Sequence, residues 1–235
     1  MPTHTVVDHE QWLAARKQFL AREKEFTRLR DALSAERRAL PWERVDEDYR
    51  FESARGHETL ASLFGPRSQL IVYHLMFDPA WEVSCKSCAF WADNFNGIVD
   101  HLAQRDVSFV AVSRAPLARL QAQAARLNWT FPWVSALGDT FNLDYNVTFA
   151  AEAVAAGGVP YNYGTDRVTA GTERPGISVF VKEGAEVFHS YSTYARGLDM
   201  MNAAYHYLDL TPKGRDEDGL PFTMQWVQLH DLYPR

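Results

Sequence analysis

A pair of cysteines directly downstream of a buried strand is the feature that most constrains the fold. Residues 69–76 read QLIVYHLM, an apolar and partly β-branched run typical of a strand inside a sheet. Cys85 and Cys88, the only cysteines of the chain, follow this run. Helical spacing then places four apolar residues on one face: Trp91, Phe95, Ile98 and Leu102. The sequence therefore predicts an α/β domain with a helix over residues 88–103, at whose start the cysteine pair can cycle between thiol and disulfide.

Beyond the pair, the sequence continues to alternate between strand and helix. Residues 107–112 predict a second buried strand, and the helix after it begins near Pro116. Residues 177–181 and 186–191 flank a turn that contains glycine, which predicts an antiparallel hairpin. A last amphipathic helix follows the hairpin. Strands and helices in this order and of these lengths indicate a right-handed parallel unit with helices packed on a sheet.

The start of a helix suits a reactive thiol. The first backbone N–H groups have no partner within the helix, and they favour a negative charge placed there. Cys85 is expected at the N-cap, where its pKa should fall, and Lys86 adds a cation beside it. Cys88 lies one turn further on, within reach of a mixed disulfide on Cys85. Trp81 and Trp133 are candidates to line a substrate pocket with Lys86, although core packing is the more frequent role of tryptophan.

This order of elements, with CxxC at the start of the first helix, resembles the thioredoxin superfamily. The resemblance implies a three-layer α/β sandwich, with Cys85 as the nucleophile and Cys88 as the resolving thiol. It also implies a cis-proline that faces the pair, and Pro175, just before the hairpin, matches that position. We therefore predict a cis Arg174–Pro175 bond within van der Waals reach of the Cys85 sulfur. Lys-Ser stands between the cysteines, where thioredoxin itself has Gly-Pro.

A second resemblance covers nearly the whole chain. Five stretches are similar to a bacterial family of unknown function with a predicted thioredoxin-like fold: QLIVYHLMF, CKSCAFWADNF, VSRAPLARL, ERPGISVFVKEGAEVFHSYSTYARGLD and LDLTPKGRDE. This resemblance supports the fold and implies no particular substrate.

The sequence predicts three additions to a thioredoxin-like domain over residues 49–211. These are an N-terminal helical extension over residues 1–48, an inserted loop region over about residues 140–172 and an irregular C-terminal tail over residues 212–235 that packs on the domain. The extension contains a predicted helix over residues 8–40 with apolar residues every seven positions, from Trp12 to Leu40. That row indicates either packing on the chain's own domain or a homodimer contact.

Composition and charge argue against some classes of function. The net charge is −6 with both signs mixed along the chain, and no basic stripe of the kind that binds nucleic acid is present. No apolar run is long enough to span a membrane, and the N-terminus lacks the pattern of a secretory signal, so we expect a cytoplasmic protein. The favoured function is a thiol–disulfide oxidoreductase that needs no cofactor. It would act through Cys85 and Cys88 on a protein or small-molecule thiol or disulfide.

Three other functions stay open at this point. The first half is also similar to peroxiredoxins, which are thiol peroxidases, but Asp78 and Glu82 stand where those enzymes need proline and threonine. A zinc site is the second alternative: the cysteine pair would supply half of its ligands, and two of His74, His101, His189 and His206 would supply the rest. No two of these four histidines have zinc-finger spacing. Thioredoxin folds also host binding modules without catalysis, and in such a module the insertion and the tail would cover the cysteines.

Overall fold

A mixed sheet organises the chain from Trp42 onwards. The structure, a computed structural model, describes residues 4–234. The described residues contain ten strands: β1 (Glu43–Arg44), β2 (Arg50–Ser53), β3 (Gly56–Thr59), β4 (Gln69–His74), β5 (Val107–Ser113), β6 (Trp133–Ser135), β7 (Val159–Tyr161), β8 (Asp166–Val168), β9 (Gly176–Glu183) and β10 (Glu186–Tyr194). Eight of them form one sheet in the order β1-β10-β9-β4-β5-β6-β2-β3, and β7 and β8 form a separate hairpin.

The described helices are mostly short. They are α1 (His9–Arg38), α2 (Leu60–Leu63), α3 (Lys86–Ala92), α4 (Val99–Ala103), α5 (Leu117–Arg126), α6 (Phe141–Asp144), α7 (Ala151–Ala155) and α8 (Ala203–Leu208), with 3-10 segments at Ala195–Met201 and His230–Leu232. No helix among the described residues is long and apolar enough to cross a membrane.

The centre of the sheet has the thioredoxin topology. β4 and β5 are parallel, β9 is antiparallel to β4, and β10 is antiparallel to β9. α3 connects β4 to β5, and β6 extends the parallel part of the sheet. Because right-handed crossovers in one direction place their helices on one face, α3 and α5 share a face of the sheet. This arrangement confirms the predicted thioredoxin-like fold.

Alternating residues of the strands point into two separate hydrophobic cores, one on each face of the sheet. Leu70 and Val72 of β4 belong to the cluster that contains Phe141 and Phe180. Tyr73, which points the other way, belongs to the cluster that contains residues of α3 and α5. The sheet is therefore covered on both faces, which gives the three layers that the sequence predicts.

The helix predicted over residues 88–103 is interrupted in the structure. The side-chain amide of Asn94 donates to the carbonyl oxygens of Phe90 and Trp91, at 2.9 and 3.1 Å, and so competes with the backbone of the next turn. Gly97 then lowers the helix propensity further. The chain therefore forms α3 and α4, and the regular apolar spacing did not reveal the break.

The Arg174–Pro175 bond is trans, as are all peptide bonds in the described residues, so the predicted cis bond is wrong. The reason lies in how the chain enters β9. Thr148 and Glu173 form an antiparallel bridge, and the Arg174 N–H donates to the Val147 carbonyl at 2.8 Å. The segment before Pro175 is therefore already extended and needs no sharp turn. The hairpin of β9 and β10 forms where the sequence predicts it.

The borders of the additions differ in detail from the prediction. The chain divides after Pro41, because β1 pairs with β10 and so joins residues 42–48 to the larger unit. The region of about residues 140–172, predicted as a loop, contains α6, α7 and the β7–β8 hairpin. Its alanine- and glycine-rich sequence offers little apolar periodicity from which these elements could be recognised.

The smaller unit, which ends at Pro41, is built on α1. Asp8 caps this helix, and its carboxylate accepts a hydrogen bond from the Gln11 N–H at 2.8 Å. Arg37 and Arg38 lie in the last turn, where cations suit the helix dipole. No residue of α1 is buried. Residues 1–3, at the start of the predicted extension, and Arg235, at the end of the predicted tail, lie outside the described residues.

Candidate functional site

The cysteine pair lies at the carboxyl end of β4, where hydrogen bonds to two other segments hold the chain in place. The Cys85 N–H donates to the Met76 carbonyl at 3.0 Å, which ties the start of α3 back to the end of the strand. The Ser84 N–H donates to the side chain of Gln123 on α5 at 2.8 Å, and the Gln123 amide donates in turn to the Ser84 hydroxyl. Cys85 is the N-cap of α3, and both thiols are free.

A second residue of α5 holds the loop that precedes the pair. The Arg119 guanidinium donates to the carbonyl oxygens of Pro79 and Trp81, at 2.8 and 2.6 Å. Arg119 and Gln123 are four residues apart on one face of α5, so both reach the same loop. The sequence analysis missed these contacts of Arg119 and Gln123 with the loop. The signal available was a pair of long polar side chains at positions i and i+4 of the helix that follows β5.

Cys85 has the environment of a reactive thiol. Its pKa is lowered to about 6, chiefly by a hydrogen bond from the Cys88 thiol and further by backbone N–H groups of residues 87 and 88, while burial acts in the opposite direction. Cys85 is the N-cap residue of α3, so the unpaired N–H groups of the first turn favour its thiolate. Cys85 is half-buried, which leaves part of it open to a reaction partner.

Cys88 has the opposite environment. It is 2% exposed, and burial raises its pKa well above the ordinary value for a thiol. Cys85 also raises the pKa of Cys88, whereas the Met76 backbone and the nearby Tyr73 hydroxyl act against that rise. The two thiols are thus adjacent, with one prepared to ionise and the other held as a neutral thiol.

The other predicted site residues lie in different surroundings. Trp81 is half-buried and packs against the core cluster of the cysteines. Lys86 extends away towards the tail and donates to the Gln225 carbonyl at 2.8 Å. Trp133 is buried in the core, where its indole N–H donates to the Ser113 hydroxyl at 2.9 Å, which favours packing over substrate contact.

Pro175 lies at the same end of the sheet as the cysteines, because it precedes Gly176, which pairs with His74 at the end of β4. Its carbonyl accepts a hydrogen bond from the Tyr161 hydroxyl at 3.0 Å. Tyr161 belongs to β7, so the inserted hairpin reaches the segment at Pro175.

The C-terminal tail lies along α3. The rings of Phe90 and Trp226 meet edge to face at 5.4 Å, and the Asp93 carboxylate accepts from the ring of His230 at 2.8 Å. Arg126 holds Asp231 with two hydrogen bonds, of 2.6 and 3.2 Å. Asp93 therefore helps to hold the tail against α3.

A buried carboxylate cluster also lies at this end of the sheet. Glu173 is 2% exposed and accepts from Arg114 at 2.9 Å and from the Thr148 hydroxyl at 3.1 Å. Burial raises the pKa of Glu173 to about 7, although Arg114 acts against the rise. Asp78, at one of the positions that distinguish this chain from peroxiredoxins, lies 3.9 Å from Arg114. No sequence pattern indicated that these residues would meet.

The histidines considered as zinc ligands do not gather at the cysteines. His74 is buried in the other core, where its two ring nitrogens bond to Asn142 and Ser178, at 3.1 and 2.9 Å. Within residues 4–234 no three His, Cys, Asp or Glu side chains are grouped so that they could hold a metal ion.

Fold and site together define a thioredoxin-like protein with a CxxC pair at the start of a helix. The chain belongs to the family described as "Bacterial protein of unknown function (DUF899)", whose model matches residues 1–233. This match confirms the resemblance seen in the sequence. No curated protein matches the chain.

Several solved structures are similar to this chain. The peroxidoxin BcpB of Mycobacterium tuberculosis is 14% identical, with a TM-score of 0.45 over 70% of this chain and 94% of that one. Peroxiredoxin Q of Xanthomonas campestris is 17% identical, with a TM-score of 0.43 over 67% of this chain and 89% of that one.

Proposed function

We propose that the protein is a thiol–disulfide oxidoreductase in which Cys85 is the nucleophile and Cys88 the resolving thiol. The observation that carries this proposal is the contrast between the two thiols within one helical turn. The lowered pKa of Cys85, about 6, supports attack by its thiolate near neutral pH. Cys88 is buried directly behind it and is protected from external reagents.

The reaction proceeds by two thiolate exchanges. The Cys85 thiolate attacks a substrate disulfide, forms a mixed disulfide and releases one substrate thiolate. Cys88 then loses its proton, and its thiolate attacks the Cys85 sulfur. The Cys85–Cys88 disulfide closes, the second substrate thiolate leaves, and it takes up a proton from solvent. The substrate is reduced by two electrons and the protein is oxidised by two.

Equilibration in glutathione buffers of graded redox poise, followed by mass spectrometry, tests the proposal. We expect a reversible loss of two hydrogens per chain with a midpoint between roughly −270 and −120 mV, the range spanned by thioredoxin and DsbA. Cys85→Ser and Cys88→Ser variants should both lose this transition. A wild-type protein without a disulfide at any poise would contradict the oxidoreductase and favour a binding module.

Incubation of the reduced protein with hydrogen peroxide separates the proposal from a peroxidase. We expect Cys85 to react with peroxide no faster than the thiolate of a free thiol does. Peroxide oxidation of Cys85 much faster than that would instead indicate a thiol peroxidase.

A further inference from the structure

The position of Cys88 poses a problem for the second exchange. A resolving thiol attacks as its thiolate, yet this residue is 2% exposed in an apolar cluster that disfavours charge. Some neighbouring group must therefore stabilise the sulfur when it ionises. Cys85 does not serve this purpose, because at that stage it is part of the mixed disulfide.

Tyr73 lies directly beneath Cys88. It is fully buried on the face of β4 that meets α3, and its hydroxyl donates to the Cys88 carbonyl at 3.4 Å. The Tyr73 ring packs edge to face on Phe95 with 4.9 Å between the ring centroids, so the phenol is fixed in place. The hydroxyl is also close enough to the Cys88 side chain to lower the pKa of that thiol.

A tyrosine is unusual at the fully buried position of residue 73. Phenylalanine would fill nearly the same volume in this core, and a hydroxyl taken out of water is costly unless it finds a partner. The phenol of Tyr73 finds its hydrogen-bond partner in the Cys88 carbonyl. Burial also raises the pKa of Tyr73 well above its ordinary value, so the phenol stays protonated and able to donate.

We propose that Tyr73 is a positioning residue for the second exchange. Its hydroxyl turns from the Cys88 carbonyl to donate to the Cys88 sulfur, and so stabilises the thiolate as it forms. This inference rests on the proposed function. Tyr73 neither gains nor loses a proton in the step. The proton of Cys88 leaves for solvent, the new bond forms between the two protein sulfurs, and the bond between Cys85 and the substrate sulfur breaks.

The aromatic disulfide 5,5′-dithiobis(2-nitrobenzoate) separates the two steps, since each releases one coloured thiolate. The first release reports attack by Cys85, and the second, slower release reports closure by Cys88. In Tyr73→Phe we expect the first rate to be unchanged and the second to fall about tenfold at pH 7.5. The pH midpoint of the second rate should rise by about one unit, which corresponds to that tenfold change.

Tyr194→Phe is the matched control. Tyr194 is also a buried tyrosine, whose hydroxyl donates to the Tyr145 carbonyl at 3.0 Å, but it belongs to a different cluster from Cys88. It should change neither release. Equal slowing of both releases in Tyr73→Phe, or an unchanged pH midpoint of the second release, would overturn the role of Tyr73. A wild-type protein that releases one thiolate and forms no disulfide would instead refute the proposed function itself.

Discussion

At the scale of single residues, the two cysteines differ in charge state and in access. Cys85 is half-buried with a pKa of about 6, whereas Cys88 is buried with a raised pKa. Iodoacetamide reacts with thiolates, so we expect it to label Cys85 many times faster than Cys88 at pH 7. Peptide mapping after brief labelling measures the ratio. Cys85→Ser should remove the fast label, and fast labelling of Cys88 in the wild type would reverse the assigned roles.

His74 makes the stability of the protein depend on pH. Burial lowers its pKa from 6.5 to about 4, so the folded protein binds fewer protons here than the unfolded chain. The contribution of His74 to the free energy of unfolding is therefore fully present above pH 6.5. It is lost as the pH falls towards 4, and the loss amounts to up to about 3 kcal/mol. Urea unfolding at pH 7.5 and pH 4.5 should show this loss.

A variant comparison isolates the contribution of His74. Glu173, with its pKa raised to about 7, acts in the opposite direction, because its stabilising contribution is lost as the pH rises from 4.5 to 7. His74→Gln keeps a polar side chain between Asn142 and Ser178 but does not titrate. The difference in unfolding free energy between wild type and His74→Gln should shrink as the pH falls. A difference that stays constant would contradict the assignment.

At the scale of elements, the sequence predicted what depends on periodicity and missed what depends on tertiary contacts. The strand before the cysteines, the long helix predicted over residues 8–40 and the hairpin of β9 and β10 were all visible as patterns. The break after α3 was not, because it depends on the side-chain bonds of Asn94. The trans bond before Pro175 was also missed, since it depends on pairing with residues 147–149, far away in sequence.

The C-terminal tail is an element without regular structure that nevertheless belongs to the core. Leu229 is 4% exposed and lies in the same cluster as Cys88. Leu229→Ala should destabilise the protein by about 2–4 kcal/mol through the cavity it leaves. Leu232→Ala, in the same tail but at a side chain that is 55% exposed, should cost no more than about 0.5 kcal/mol. Equal effects of the two substitutions in urea unfolding would show that the tail does not pack as described.

At the scale of the whole molecule, charge and apolar surface are distributed unevenly between the two units. Residues 1–41 carry eight basic and six acidic side chains, whereas residues 42–235 carry sixteen basic and twenty-four acidic ones. All three clusters of buried apolar residues lie in the larger unit. Because acidic residues outnumber basic ones in the larger unit, the larger units of two copies would repel each other. The smaller units are nearly neutral and would not.

The helix α1 is accordingly where we expect two copies to associate. Its apolar row is exposed, with Phe19 at 54% and Phe26 at 67%, and a two-fold contact would bury the same row on both copies. We expect the full chain to be a dimer in light scattering after gel filtration. A chain with both Phe19→Glu and Phe26→Glu should be a monomer, since paired carboxylates in an apolar contact are strongly unfavourable. Gln18→Glu adds a charge next to the row and should leave the dimer intact. A wild-type monomer at high concentration, or a dimer that survives the double substitution, would exclude this contact.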